Sequence, residues 1–364
     1  MTHQPFGRFF LPGPTEVRAE ILAAQAAAMI GHRGRGMEEL IARVQPSLQA
    51  VFRTARPVYI SSSSATGLME AAVRNGARAR VLALTNGAFS ERFAQIARAC
   101  GREVVTLERP WGEIHEPAMV ADVLRSGRFD AVTVVHSETS TGALNPIAEL
   151  AEVVHAAGDV TLLVDSVTGV AGAPVETDRW ELDFVLTGSQ KAFALPPGLA
   201  FGVARESLLA RAAELPARGV YYDLLEFERY LEKNQTPNTP AISLIYALAA
   251  QLAAREEEGI ERRWARHRAM AERTWRWVNE MGDAGVQLAV LAPAGARSPT
   301  VTCIRLPDGH SGPEVVAALK RLGWTIGAGY GKLRDTTIRI GHMGDHTLEG
   351  LDALLAALAG VLRA

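Results

Sequence analysis

The chain reads as an α/β protein, a mostly parallel sheet with helices on both faces, followed by a smaller α+β domain. Three observations predict this. Short apolar runs alternate with helical stretches through the first two-thirds. Several of those runs are apolar at successive positions, as strands buried on both faces are. Near Thr239 the pattern changes to a long helical stretch and then a shorter β/α alternation.

Seven strands are expected: Pro57 to Ser61, Val81 to Thr85, Glu103 to Leu107, Asp130 to His136, Val160 to Asp165, Leu182 to Thr187, and Leu199 to Ala204. Helices are expected from Thr66 to Arg74, Ser90 to Cys100 and Ile147 to Ala157, with an Ala-rich one from Ile21 to Ala28. Beyond Pro240 a helix from Ala241 through Glu257 resumes to Met281. Strands Val301 to Arg305 and Thr337 to Ile340, a helix from Gly312 to Leu322 and a terminal helix from Leu348 complete the small domain. The expected division is a large domain over 16–240 and a small one made of 1–15 and 241–364.

Nearly half of the 364 residues are apolar, so a sizeable core is available, and the formal net charge is −2. A balanced charge gives no whole-chain reason to expect nucleic acid or an anionic membrane as partner. Cys100 and Cys303 are the two cysteines and form no CxxC pair, so neither a disulfide framework nor a thiolate zinc site is expected. Met1 to Phe10 lacks a basic region followed by a long apolar core, and no apolar run approaches a membrane span. A soluble cytoplasmic protein is expected.

Five groups of residues carry chemistry. Gly188-Ser189-Gln190-Lys191 follows an apolar strand. A lysine at the end of a buried strand is poorly solvated, and burial lowers an amine's pKa, which favours Schiff-base chemistry; the alternative is a surface lysine in a loop. Asp165 ends another apolar strand, one strand and one crossover earlier. Ligands of such sheets sit at the carboxyl ends of strands, and an acid there can pair with a pyridinium nitrogen or simply cap a turn. Ser61-Ser62-Ser63-Ser64-Ala65-Thr66-Gly67 joins a strand to a helix, where small residues and free amides can bind phosphate or serve only as caps. Phe89, in Asn86-Gly87-Ala88-Phe89, follows a strand and could stack on a ring or pack in the core. Arg339 stands in an apolar strand and needs an anionic partner, either a substrate carboxylate or a structural acid.

Taken together, these motifs resemble the class V aminotransferases of fold type I, and within them the alanine–glyoxylate and serine–glyoxylate group. The resemblance runs from Leu11-Pro12-Gly13-Pro14-Thr15 to Arg339-Ile340-Gly341. Gly188-Ser189-Gln190-Lys191 with Pro196-Pro197-Gly198 is its most specific part, and Val164-Asp165-Ser166-Val167 and His136-Ser137-Glu138-Thr139-Ser140-Thr141-Gly142 are nearly as specific. It implies pyridoxal 5′-phosphate held as a Schiff base on Lys191, with Asp165 on the pyridine nitrogen. Phe89, where many relatives have tryptophan, would stack on the ring, and Val167 would pack on its other face. Thr139 would lie near the phenolic oxygen. Ser64, Ala65, Thr66 and Gln190 would hold the phosphate, with Ala65 standing where relatives often have glycine. Thr239 matches a phosphate ligand given by a neighbouring subunit, which implies a homodimer with shared active sites; Thr236 stands where some relatives have a tyrosine. Arg339 matches the arginine that holds the substrate carboxylate.

The activity implied is transamination from a small amino acid, alanine or serine, to a small 2-oxo acid, glyoxylate or pyruvate. His32 and Arg33, in the basic cluster Gly31-His32-Arg33-Gly34-Arg35, add a rival. In phosphoserine aminotransferases a His-Arg pair at this place helps bind the substrate phosphate, so phosphoserine or an aminophosphonate is the alternative donor. A lyase such as a cysteine desulfurase usually has histidine before the lysine and a mobile late cysteine; here Gln190 precedes Lys191 and Cys303 lies in an expected strand. A non-catalytic cofactor-binding protein is a third reading, opposed by the complete lysine–aspartate–arginine set.

Overall fold

A computed structural model describes residues 6–363. In chain order its strands are β1 (Tyr59–Ser61), β2 (Arg80–Thr85), β3 (Glu103–Glu108), β4 (Ala131–Val135), β5 (Ser137–Glu138), β6 (Ala143–Leu144), β7 (Thr161–Asp165), β8 (Phe184–Gly188), β9 (Ala200–Ala204), β10 (Ala289–Val290), β11 (Val301–Arg305), β12 (Gly327–Ala328) and β13 (Thr337–Gly341).

The main sheet has seven strands in the order β1-β9-β8-β7-β4-β2-β3. Every pairing from β8 to β3 is parallel, and β9 runs antiparallel to both β8 and β1. The seven expected strands are all present, trimmed by a residue or two at some ends. β4, β7 and β8 are buried along their whole length, which their unbroken apolar and threonine sequences anticipate. Parallel strands separated by helices bring the carboxyl ends of β1, β2, β4, β7 and β8 to one edge, and that edge carries every strand-end motif named above.

The helix expected over Ile21–Ala28 is shorter, Ala19–Ala24. Only Ile21 of that stretch is buried, and without an apolar face to pack a short helix has little to hold it together. An unexpected helix, Arg35–Phe52, crosses the first core with Met37, Leu40, Ile41, Val44, Leu48 and Phe52 buried, despite Pro46 in its interior.

Two buried clusters organise the chain. The first surrounds the seven-stranded sheet and includes Ile245, Leu248 and Leu252 of the helix Ile242–Glu258. The second gathers Met270, Trp277, Ile304, Ile338, Leu354 and Leu358 around the antiparallel sheet β10-β11-β13-β12. Phe10, fully buried, belongs to the second cluster. Its backbone pairs with Thr325 and Gly341, so the N-terminal segment is stitched to the small sheet before it crosses to the large one. Among the described residues no helix is long and apolar enough to cross a membrane.

Candidate active site

The carboxyl edge of the sheet forms a cleft lined by Ser64, Ala65, Thr66, Phe89, Arg92, Thr139, Asp165, Val167, Gln190 and Lys191. Eight residues assigned to the cofactor from sequence therefore meet there with the lysine that would bond to it. Ser64 is the N-cap of the helix Ala65–Gly76 and makes no side-chain cap bond; Gly67 N donates to the Ser64 carbonyl, and the Ala65 and Thr66 amides are left for an anion. Gly67 itself is covered by Tyr222, whose hydroxyl would lie 2.3 Å from a Cβ there.

Lys191 lies just past β8 and is 8% exposed. Its Nζ donates to the Pro12 carbonyl at 2.8 Å. Thr15 N donates to the Gln190 carbonyl at 2.8 Å, so the N-terminal segment passes directly over the lysine. Gly13 is needed there. Its φ is +123°, and a Cβ would stand 2.1 Å from Lys191 Nζ. Burial pulls the amine down to about 8; the nearby Arg339 and Arg92 push the same way and Asp165 opposes them.

Asp165 closes β7. Its Oδ1 accepts from Val167 N at 2.8 Å, the turn-forming bond of the structural reading, while the carboxyl also lines the cleft. Burial pushes its pKa up to about 7, with the like charge of Glu138 adding, against the Val167 amide, Lys191 and Arg92. Phe89 faces Lys191 Nζ, 6.0 Å from its ring centre, so an aromatic face and the amine look into one space.

The Phe89 position is held from below by Glu138. That carboxylate is fully buried. It accepts from Phe89 N at 3.3 Å, Ser90 N at 2.9 Å and Ser140 N at 3.1 Å, and from the Ser90 and Ser140 hydroxyls at 3.1 and 2.6 Å. A carboxylate over the N-terminus of the helix Ala88–Ala99 meets the favourable end of its dipole. Arg339, on β13, donates from Nε to the Ala328 carbonyl at 3.0 Å and from Nη1 to the Thr139 carbonyl at 3.2 Å. Among the described residues no carboxylate contacts it directly, so the structural-acid alternative loses its support.

His32, Arg33 and Thr239 are not in the cleft wall of the single chain. They gather on the turn 235–240 beside it. Arg33 donates to the Thr236 and Pro237 carbonyls at 2.6 and 2.8 Å, and His32 Nε2 stands 3.4 Å from the Thr239 hydroxyl. That turn is tied to the serine-rich loop after β1, since Ala241 N donates to the Ser62 hydroxyl at 2.8 Å.

Sequence reasoning missed Arg92, Tyr330, Glu138 as a support, and Pro12. Arg92 follows Phe89 by one helical turn, a spacing that was available as a signal. Tyr330 comes from the loop after β12 of the four-stranded sheet, and no local pattern announces it. Cys303 is buried in β11 with its thiol pushed up to about 11 by burial, which suits core packing and not a nucleophile.

An amine, an acid, an aromatic face and a set of uncapped helix amides in one cleft fit pyridoxal 5′-phosphate. The comparisons agree. Residues 61–349 match the family Aminotransferase class-V. An uncharacterized aminotransferase of Methanocaldococcus jannaschii is 38% identical over 357 residues, covering 96% of this chain and 90% of that one. The serine–glyoxylate aminotransferase of Methylorubrum extorquens is 32% identical over 364 residues, covering 96% and 89%. The crystal structure of an alanine–glyoxylate aminotransferase from Nostoc sp. superposes with a TM-score of 0.92 at 29% identity, covering 100% of this chain and 97% of that one. The chain belongs to the class V aminotransferases. It is a transaminase, and its cofactor is pyridoxal 5′-phosphate.

Proposed function

We propose that the enzyme moves an amino group from a small amino acid, alanine or serine, to a small 2-oxo acid, glyoxylate or pyruvate. The observation that carries this reading is Arg339: a guanidinium anchored by two backbone carbonyls, beside Lys191, and, among the described residues, in direct contact with no carboxylate. A substrate carboxylate matches that fork. When bound, the cofactor supplies an aldehyde for the amine to condense with and a ring that spreads the electron pair left when the Cα proton departs. Lys191 then works at one atom. Its Nζ, softened to about 8, takes and returns a proton near neutral pH, and Pro12 O holds it at the cleft floor. Asp165, whose carboxyl burial raises to about 7, would face the ring nitrogen; held ionised by a pyridinium there, the carboxylate would keep that nitrogen protonated. Phe89 and Val167 would bracket the ring, Thr139 would lie by its phenolic oxygen, and Ser64, Ala65, Thr66 and Gln190 would hold the phosphate.

The same reading assigns the cofactor to a large domain over 16–240 and the substrate arginine to a small domain of 1–15 and 241–364. It also takes the enzyme as a cytoplasmic homodimer in which Thr239 completes the neighbouring subunit's phosphate site. A phosphoserine or aminophosphonate donor would require His32 and Arg33 at the substrate. The Arg33 bonds to the 235–237 turn favour a supporting role for this pair, and hence the small donor. The test is turnover of the holoenzyme with alanine, serine or phosphoserine against glyoxylate and pyruvate, with sedimentation for the dimer. Exchange with alanine or serine is expected. Exchange with phosphoserine alone would overturn the donor assignment.

A further inference from the structure

The cleft holds more positive charge than a monocarboxylic donor needs. Arg92 lines it as well. One helical turn past Phe89, its guanidinium lies over the Phe89 ring at 5.1 Å. Its Nη2 donates to the Tyr330 hydroxyl at 3.1 Å. The Tyr330 ring packs against Phe89 at 5.3 Å and carries the Arg339 guanidinium at 5.4 Å. Two guanidinium groups from different domains thus flank one tyrosine at the cleft. Both are half-buried, and among the described residues the contacts of Arg92 are a phenol and an aromatic ring, with no carboxylate. Two buried arginines elsewhere in this chain are paired with acids, Arg211 with Asp159 and Arg263 with Asp345 and Glu258, whereas Arg255 contacts the Ser47 carbonyl and the Phe193 ring but, unlike Arg92, does not line the cleft. A cation drawn from water toward neutral neighbours is poorly compensated until an anion arrives.

We propose that Arg92 is a specificity-determining residue that binds the side-chain carboxylate of a four-carbon amino diacid, while Arg339 takes the α-carboxylate. This rests on the transaminase reading above and adds a donor class to it. Alanine and serine leave Arg92 idle. A carboxylate suits a single guanidinium fork, and the Tyr330 hydroxyl, which accepts from Arg92, keeps its own proton to give to the same carboxylate. A phosphate dianion would call for a second cation beside Arg92; among the described residues lining the cleft the other cation is Lys191, which the transaminase reading commits to the cofactor.

The test uses the holoenzyme. Succinate and propionate, which carry no amino group and cannot react, are titrated and followed calorimetrically and by the cofactor's absorbance. Aspartate, alanine and phosphoserine are compared as donors to glyoxylate. Succinate should bind on the order of 10- to 100-fold tighter than propionate, the worth of one charge-assisted contact. Arg92→Gln should close that gap and lower the aspartate-to-alanine ratio of kcat/KM at least about tenfold, and Arg92→Lys should restore part of it. The proposal is overturned if wild-type enzyme binds succinate no tighter than propionate, if Arg92→Gln lowers aspartate and alanine alike, or if phosphoserine outperforms aspartate. The wild-type comparisons stand even where the variant folds poorly. An enzyme that uses alanine yet ignores succinate defeats this inference alone; one that uses none of the donors defeats the reading beneath it.

Discussion

Replacing Lys191 with methionine should stabilise the cofactor-free protein, and by an amount that depends on pH. The unbranched stem is kept and the charge is removed. In the folded chain the amine titrates near 8, against an ordinary 10.5, with burial as the main cause. The unfolded chain therefore binds more protons between those values, and the wild type gains stability as pH rises through them. Below pH 8 both states are protonated, and the buried charge lowers stability by about 3 kcal/mol. At pH 10 the penalty falls below about 1 kcal/mol, because the folded amine is already neutral. Losing the bond to the Pro12 carbonyl costs about 1 kcal/mol at either pH, since a neutral amine also donates. Asp165 does not blur the comparison at pH 6, where its carboxyl, raised to about 7, is protonated with or without the lysine. Denaturant unfolding of the two cofactor-free proteins at pH 6 and pH 10 measures the effect. The difference between them should shift by about 2–3 kcal/mol in favour of the methionine variant at the lower pH. An unchanged difference would refute the claim that the fold holds this amine against its own solvation.

Two further predictions concern the supports of the site. Glu138→Gln keeps the size of a fully buried carboxylate but turns its amide hydrogens either toward the Phe89 and Ser140 backbone N–H groups or toward that of Ser90, none of which can reverse. It should lower stability by about 2–3 kcal/mol, read from the denaturation midpoint, and a neutral outcome would remove Glu138 as the anchor of Phe89. Arg263→Met strips a buried guanidinium from Asp345 at 2.8 Å, Glu258 at 3.0 Å and the Ala192 carbonyl at 2.9 Å. The loss should be about 3–5 kcal/mol near neutral pH. Burial raises the Asp345 carboxyl, but Arg263 and Arg18 outweigh it and hold it low; its contribution is thus present above about pH 4 and lost in acid. The deficit of the variant should accordingly shrink as pH falls, and equal deficits at pH 7 and pH 3 would contradict the pairing.

The sheet and its strand-end chemistry were legible because they are local. A run such as Thr161-Leu162-Leu163-Val164 can only be a strand buried on both faces, and an acid ending it must sit at the sheet's carboxyl edge. Lys191, Asp165, Phe89 and the serine turn each follow their own strand directly, so connectivity alone brings them to one edge. The helix Arg35–Phe52 was less visible, since Pro46 interrupts its pattern and burial of the flanking apolar stripe overrides that local signal.

What the tertiary structure alone decided is everything joined across the two cores. Pro12 and Gly13 reach Lys191 only because Phe10 is buried in the second core and its backbone pairs with Thr325 and Gly341. Tyr330 meets Phe89 and Arg92 from a loop after β12, more than two hundred residues away in the chain. The degree of burial, which moves Lys191 and Asp165 toward neutral pH, is likewise a property of the assembled cleft. Sequence spacing determined which groups stand at the strand ends. Packing between the two cores decided how dry they are, what overlies them, and which cations lack a carboxylate contact, because solvation and long-range contact are set by the whole fold and not by neighbours in the chain.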